Sequence, residues 1–200
     1  MADLTLLRRS PLAHLTERMR AAAVSGERSV ALAEWPFLSM VSLRVDPDAQ
    51  AARAVESALG LELPRSCGAV AESGPHTVLW LGPDEWLLVS QTDAALLVEQ
   101  LEALVGDAHA AVADVSANRT VLELSGRSAR SVLEKGCPLD LHPTAFQPGR
   151  AVTTTLARIP LLVWQVGPDT YRLLPRSSFA DYVARWLLDA MQEFQGSGVS

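Results

Sequence analysis

Lysine is almost missing from this sequence: Lys135 stands alone among seventeen basic residues. Schiff-base or pyridoxal chemistry would hang on that one side chain, which precedes Gly136 and reads better as a cation at a helix C-terminus. Cysteine is scarce too. Cys67 and Cys137 form no CxxC pair and have no histidine beside them, so they read as plain thiols with no sign of an oxidising compartment. Long apolar runs are absent, the best being stretches such as Ile159 to Trp164, far below the ~20 residues that cross a bilayer. Positive charge is in deficit. Seventeen Lys and Arg against 23 Asp and Glu leave a net charge of −6 and a pI near 5.2. That balance repels phosphate backbones and argues against a nucleic-acid partner. Arg8 and Arg9 follow the first apolar residues instead of preceding them, the reverse of a secretory signal, so the expected location is cytoplasmic, with no membrane partner.

What is present belongs to a globular protein. Hydrophobic residues make up 48% of the 200, charged 20% and aromatic 6%, and a chain of this length buries roughly 70% of its unfolded surface without staples. Ser10-Pro11 offers a helix N-cap with proline at the first helical position, followed by Leu12, Leu15 and Met19 at helical spacing. Phe37 to Val45 has strand chemistry, and Asp46-Pro47 opens a helix to Leu59 with Ala51, Ala52, Val55 and Leu59 on its apolar face, closed by Gly60. His76 to Leu81 and Glu85 to Ser90 form a hairpin about Gly82-Pro83-Asp84, followed by a helix from Asp93 to Val105. Ala110 to Val115 and Thr120 to Leu124 read as strands, and Arg127 to Lys135 as a helix. Val152 to Ala157, Leu161 to Val166 and Tyr171 to Leu174 are further strands. The last helix carries Phe179, Tyr182, Val183, Trp186, Leu187, Ala190, Met191 and Phe194 along one face, with Ser178 and Asp181 in a capping-box pattern.

The chain repeats itself. LWLGPDEWLL (Leu79 to Leu88) reads like VWQVGPDTYRLL (Val163 to Leu174), their Gly-Pro-Asp turns 85 residues apart. Each is followed by an amphipathic helix and preceded by a strand, a helix and a Leu-acid-Leu step, Leu61-Glu62-Leu63 or Leu139-Asp140-Leu141. Strand, helix, hairpin, helix, strand is the order of the ferredoxin-like split βαβ unit. The expectation is an α+β fold of two pseudo-twofold-related ferredoxin-like halves, antiparallel sheets with helices on one face. One half spans about 30–115 and the other about 116–194, with a helical segment over 1–25 and a fraying tail at 195–200.

Familiar chemistry is missing. The one GxG, Gly196-Ser197-Gly198, lies in the tail; no phosphate-binding loop or GxSxG elbow occurs, and His14, His76, His109 and His142 are scattered singly. No catalytic, cofactor-binding or metal residue is assigned. The most polar cluster is Asp114-Val115-Ser116-Ala117-Asn118-Arg119-Thr120, able to hold a small ligand but more simply a turn whose acid accepts backbone N–H bonds while Arg119 pairs with a carboxylate. Of the five tryptophans, Trp35 in Trp35-Pro36-Phe37 is the candidate exposed contact.

RSPLAHL (Arg9 to Leu15), LGPDEWLLV (Leu81 to Val89), DVSANRTVLELSG (Asp114 to Gly126) and LPRSSFADYVARWLLDA (Leu174 to Ala190) together resemble the gamma subunits of heterotetrameric sarcosine oxidases. More distantly, DVSANRTVLELSGRSARSVLEKGCPLDL is similar to the folate-binding domain of glycine-cleavage aminomethyltransferases. The resemblance implies one folate-transferase-like domain that assembles with alpha, beta and delta subunits. It also implies a host complex that demethylates sarcosine to glycine, with FAD, FMN, NAD, zinc and tetrahydrofolate held by the other subunits. The expected role is structural, with a partner surface of Arg9, Pro11, Leu12, Leu15, Trp35, Pro36 and Phe37. A free-standing folate-binding one-carbon protein and a ferredoxin-like small-ligand regulatory module are the alternatives.

Overall fold

The computed structural model describes residues 8–195; Met1 to Leu7 and the tail residues 196–200, with their GxG, lie outside them. In chain order the elements are α1 (Thr16–Ala21), β1 (Ala31–Trp35), β2 (Ser39–Val45), α2 (Gln50–Leu59), β3 (Val70–Ser73), β4 (His76–Gly82), β5 (Glu85–Ser90), α3 (Ala94–Val105) and β6 (Ala110–Asp114). They continue with β7 (Val121–Ser125), α4 (Ala129–Glu134), β8 (Arg150–Leu156), β9 (Ile159–Gly167), β10 (Thr170–Pro175) and α5 (Ala180–Gln195).

Two antiparallel five-stranded sheets result, ordered β3-β4-β5-β2-β6 and β1-β7-β10-β9-β8. Read from the other end, the second order matches the first position by position, with β1 in the place of β6. Both Gly-Pro-Asp turns close hairpins, and each hairpin carries a register shift beside its turn. The fold is α+β with ferredoxin-like strand order and one added edge strand per sheet. Ala31–Trp35 falls within the first half by sequence order, yet it pairs with β7 along its whole length. The place that β6 takes in the first sheet is filled in the second by β1, which precedes the first unit in the chain.

The core has three parts. Leu43, Val55, Trp86 and Leu97 join α2 and α3 to the first sheet. Leu122, Val163, Leu133 and Leu187 join α4 and α5 to the second, and Leu12, Leu15 and Met19 of the N-terminal segment enter the same cluster. Between the sheets lie Met40, Leu79, Leu87 and Val89 on one side and Val121, Leu162, Trp164 and Leu174 on the other. The layers are therefore helices, sheet, sheet, helices. β5 and β9 are buried over nearly continuous runs because both of their faces are covered, whereas β6 and β1 are partly exposed at the edges.

Several helix ends differ from expectation for local reasons. Ser10 does not cap a helix; its hydroxyl donates to Glu34, and a 3-10 turn at Ala13–Leu15 leads into α1. Asp46 holds the Asp48 N–H in a turn, so α2 begins only at Gln50 and ends on Gly60 at φ +67°, a conformation glycine adopts without strain. Asp93 does cap α3, accepting from the N–H groups of Ala95 and Leu96. The Ser178–Asp181 box does not form: a 3-10 turn occupies Ser177–Phe179, and Asp181 accepts from Arg185 while its other oxygen faces His14 Nε2. Phe179 and Tyr182, expected on the apolar face of α5, are exposed, and Ala180, Ala184 and Leu188 are buried in their stead.

Candidate functional site

Two links carry the chain between the sheets, Pro36–Leu38 from β1 to β2 and 115–120 from β6 to β7. Because β1 corresponds to β6 and β2 to β7, the links are equivalent, and they meet at the local twofold. The cleft between them measures about 210 Å³ and is lined by Arg8, Arg9, Pro11, Trp35, Phe37 and Arg119 among others, with Ser116, Thr120 and Met40 deeper in. The aromatic contact and the polar cluster, separate in the sequence, are thus one place.

The aromatics are held by arginines. Arg172 lies 4.1 Å from the Trp35 ring centroid and 5.0 Å from that of Trp164, and its Nε donates to Glu123 at 3.1 Å. Arg8 lies 5.1 Å from the Phe37 ring. Trp35 remains 37% exposed and Phe37 52%. Phe37 also has φ +63°. A proline followed by a residue of positive φ is the type II turn pattern, in which glycine is usual at the second position. A bulky side chain in the left-handed region points to a requirement beyond folding.

The polar cluster is tied down. Asp114 Oδ1 accepts the Ser116 N–H at 2.8 Å, and the Ser116 hydroxyl accepts the Met40 N–H at 3.0 Å, extending the β2–β6 pairing of the first sheet. The Thr120 hydroxyl donates to Glu34 Oε1 at 2.7 Å, opposite the oxygen taken by Ser10. Arg119 departs from expectation. It has no carboxylate partner among the described residues; Nη1 donates to the Leu174 carbonyl at 3.0 Å. Burial and then the neighbouring Arg176 pull its guanidinium below the usual arginine value, with Glu85 working the other way.

Elsewhere, among the described residues, no three His, Cys, Asp or Glu side chains converge as a metal ligand set, and no helix is long and apolar enough to cross a membrane. Cys67 is exposed; Cys137 is buried, and burial pushes its thiol up. Lys135 caps α4 as expected and also reaches α5, donating to the Ala190 carbonyl and pairing with Glu193. A larger depression, about 700 Å³, beside Arg44, Pro47, Asp84 and His109 is an open surface whose charges already pair, Arg44 with Asp84 at 3.2 Å.

Residues 44–193 match the sarcosine oxidase, gamma subunit family. The chain belongs to that family. It is 47% identical over 201 residues to a sarcosine oxidase subunit gamma of Corynebacterium sp. (strain U-96), covering 100% of this chain and 98% of that one. It is 44% identical, with the same coverage, to one from Arthrobacter sp.. It superposes with TM-score 0.92 and 46% identity on a chain of the heterotetrameric sarcosine oxidase from Corynebacterium sp. U-96 in complex with pyrrole 2-carboxylate, covering 97% of this chain and 100% of that one. A glycine cleavage system aminomethyltransferase T from Bartonella henselae shares the fold, with TM-score 0.67 at 16% identity over 91% of this chain and 57% of that one.

Within this gamma-family fold the residues expected at a partner surface divide. Arg9, Pro11, Trp35, Pro36 and Phe37 are exposed around the cleft. Leu12 and Leu15 are not available to a partner: they are 0% and 3% exposed and belong to the chain's own second-sheet core. Their helical spacing marked an apolar face correctly, but that face covers the second sheet. Arg8, Met40 and Glu34 escaped sequence reasoning. The legible signal was Glu34 itself, a carboxylate beside Trp35 in an otherwise apolar strand.

Proposed function

We propose that this chain is the gamma subunit of a heterotetrameric sarcosine oxidase and serves there in assembly, with no catalytic site of its own. The observation that carries the reading is the full-length likeness to gamma subunits, one of them a chain of such a heterotetramer. Its partners are the alpha, beta and delta subunits, in the cytoplasm. Those subunits hold FAD, FMN, NAD, zinc and tetrahydrofolate. The complex converts sarcosine, oxygen and water to glycine, hydrogen peroxide and formaldehyde, or passes the one-carbon unit to tetrahydrofolate as its methylene derivative. The chain acts as one folate-transferase-like domain of two halves, about 30–115 and about 116–194, with β1 contributed to the second sheet. Arg9, Pro11, Trp35, Pro36 and Phe37 form its partner surface.

The chain offers three things suited to such a role. Its sheets bury each other's inner faces, so the fold is complete without a neighbour. Its aromatics and arginines, the residue types enriched at binding hot spots, gather at one exposed spot. Its polar cluster is occupied by turn hydrogen bonds and by bonds that extend strand pairing within the first sheet. The test is purification of a tagged chain from cells that make all four subunits, following co-purifying chains, flavin absorbance and sarcosine-dependent peroxide together. Equal amounts of three partners, yellow and active, are expected. A solitary colourless protein would overturn the reading.

A further inference from the structure

The cleft is positively charged in an acidic protein. Against a net charge of −6, three arginines line it and no carboxylate does. Arg8, Arg9 and Arg119 make no ion pair among the described residues, and neither does Arg176, which sits behind the cleft against Asn118. Among acids of the adjoining strands, Glu34 is engaged by two hydroxyls and Asp114 by Ser116, and Glu85 acts on Arg119 only through space, without a hydrogen bond to it. A guanidinium has five N–H donors, and Arg119 uses one of its groups on the Leu174 carbonyl. It is a partly desolvated cation with donors to spare, the state in which a bidentate carboxylate is bound most firmly.

Size decides what brings the carboxylate. At about 210 Å³ the cleft is smaller than the roughly 300–1,000 Å³ of pockets that enclose a small ligand. Trp35 and Phe37, which line it, remain 37% and 52% exposed, so whatever covers them extends beyond the hollow. Phe37 keeps a left-handed backbone there, with its ring half exposed. We infer that this cleft docks an acidic segment of a partner subunit, one carboxylate reaching Arg119 and Arg9 while an adjacent apolar side chain lies across Trp35 and Phe37. The inference rests on the subunit reading above and adds the chemistry of the contacting segment.

The experiment uses the co-expressed complex. A photo-cross-linking amino acid replaces Phe37, and the cross-linked peptide is identified by mass spectrometry. In parallel, dissociation of the chain from the complex is measured between low and high salt for the wild type, Arg9→Glu and Phe37→Gly. Phe37→Gly suits the left-handed backbone and removes only the ring, so its fold is preserved. Expected are a cross-link to a partner segment rich in Asp or Glu, and at least tenfold weaker association for each variant. Wild-type association should weaken as salt rises, and Arg9→Glu should flatten that dependence. A cross-link to residues 1–7 of the same chain, to a second copy, or to nothing would overturn the inference. So would variants that associate like the wild type, or weakening that ignores salt. In each of those cases a wild-type complex that still assembles leaves the subunit reading standing; a wild type that never assembles removes that reading first.

Discussion

Replacing Arg172 with methionine should expose how the second sheet carries a charge on its inner face. Arg172 and Glu123 pair at 3.1 Å with side chains only 18% and 21% exposed, and the guanidinium is sandwiched between Trp35 and Trp164. Removing one partner of a fully buried pair costs about 3–5 kcal/mol because the other charge is stranded. With about a fifth of each side chain still in water, the lower end of that range applies. Two cation–π contacts add about 0.5–1 kcal/mol each. Methionine keeps most of the apolar stem, so no further packing loss is added and about 4–5 kcal/mol is expected in all. Glu123→Gln should cost less, about 1–2 kcal/mol, since the cation keeps both rings and an amide acceptor. The double variant should then fall short of the sum of the two by at least about 1 kcal/mol, the usual coupling of residues in direct contact. Urea unfolding followed by tryptophan fluorescence suits the measurement, since urea leaves ion pairs unscreened and two indoles flank the site. A cost below about 0.5 kcal/mol for Arg172→Met, or strict additivity, would refute the reasoning.

Leu12→Ala should cost about 2–5 kcal/mol, because the side chain is fully buried in the second-sheet core. That corresponds to a fall in Tm of roughly 5–15 °C for a chain of this size, whereas Phe37→Ala should leave Tm nearly unchanged. The reverse ranking by thermal melting would restore Leu12 to the partner surface. Burial holds the His76 pKa below its ordinary 6.5. Below the unfolded pKa the unfolded state then binds more protons, so this residue's share of stability is present above about pH 6.5 and lost as pH falls through and below it. His76→Asn should flatten the decline in stability between pH 7.5 and 5; an unchanged decline would assign it to other groups.

The periodic elements were legible because their signals are local. The α2 face of Ala51, Ala52, Val55 and Leu59 is buried as its spacing indicates, and both Gly-Pro-Asp turns close hairpins where proline and glycine demand. The doubled architecture was legible too, since a repeat shows in order and spacing without any knowledge of contacts. Ala31–Trp35 and Val70–Ser73 passed unnoticed because short edge strands carry little periodicity.

Pairing was decided only in three dimensions. Nothing within Ala31–Trp35 says that it hydrogen-bonds β7, some ninety residues away; the pairing gives the second sheet the edge position that β6 supplies in the first. The same holds for the cleft. Composition and motifs showed an acidic chain without cofactor fingerprints, and residue by residue they marked Trp35, Phe37 and Arg119. Their meeting on one exposed spot depends on two equivalent links crossing between packed sheets. The fate of Leu12 and Leu15 depended on it as well: an apolar stripe announces that it will be buried, but whether the covering surface is the chain's own sheet or a neighbour's is settled by which surface the folded chain leaves within reach.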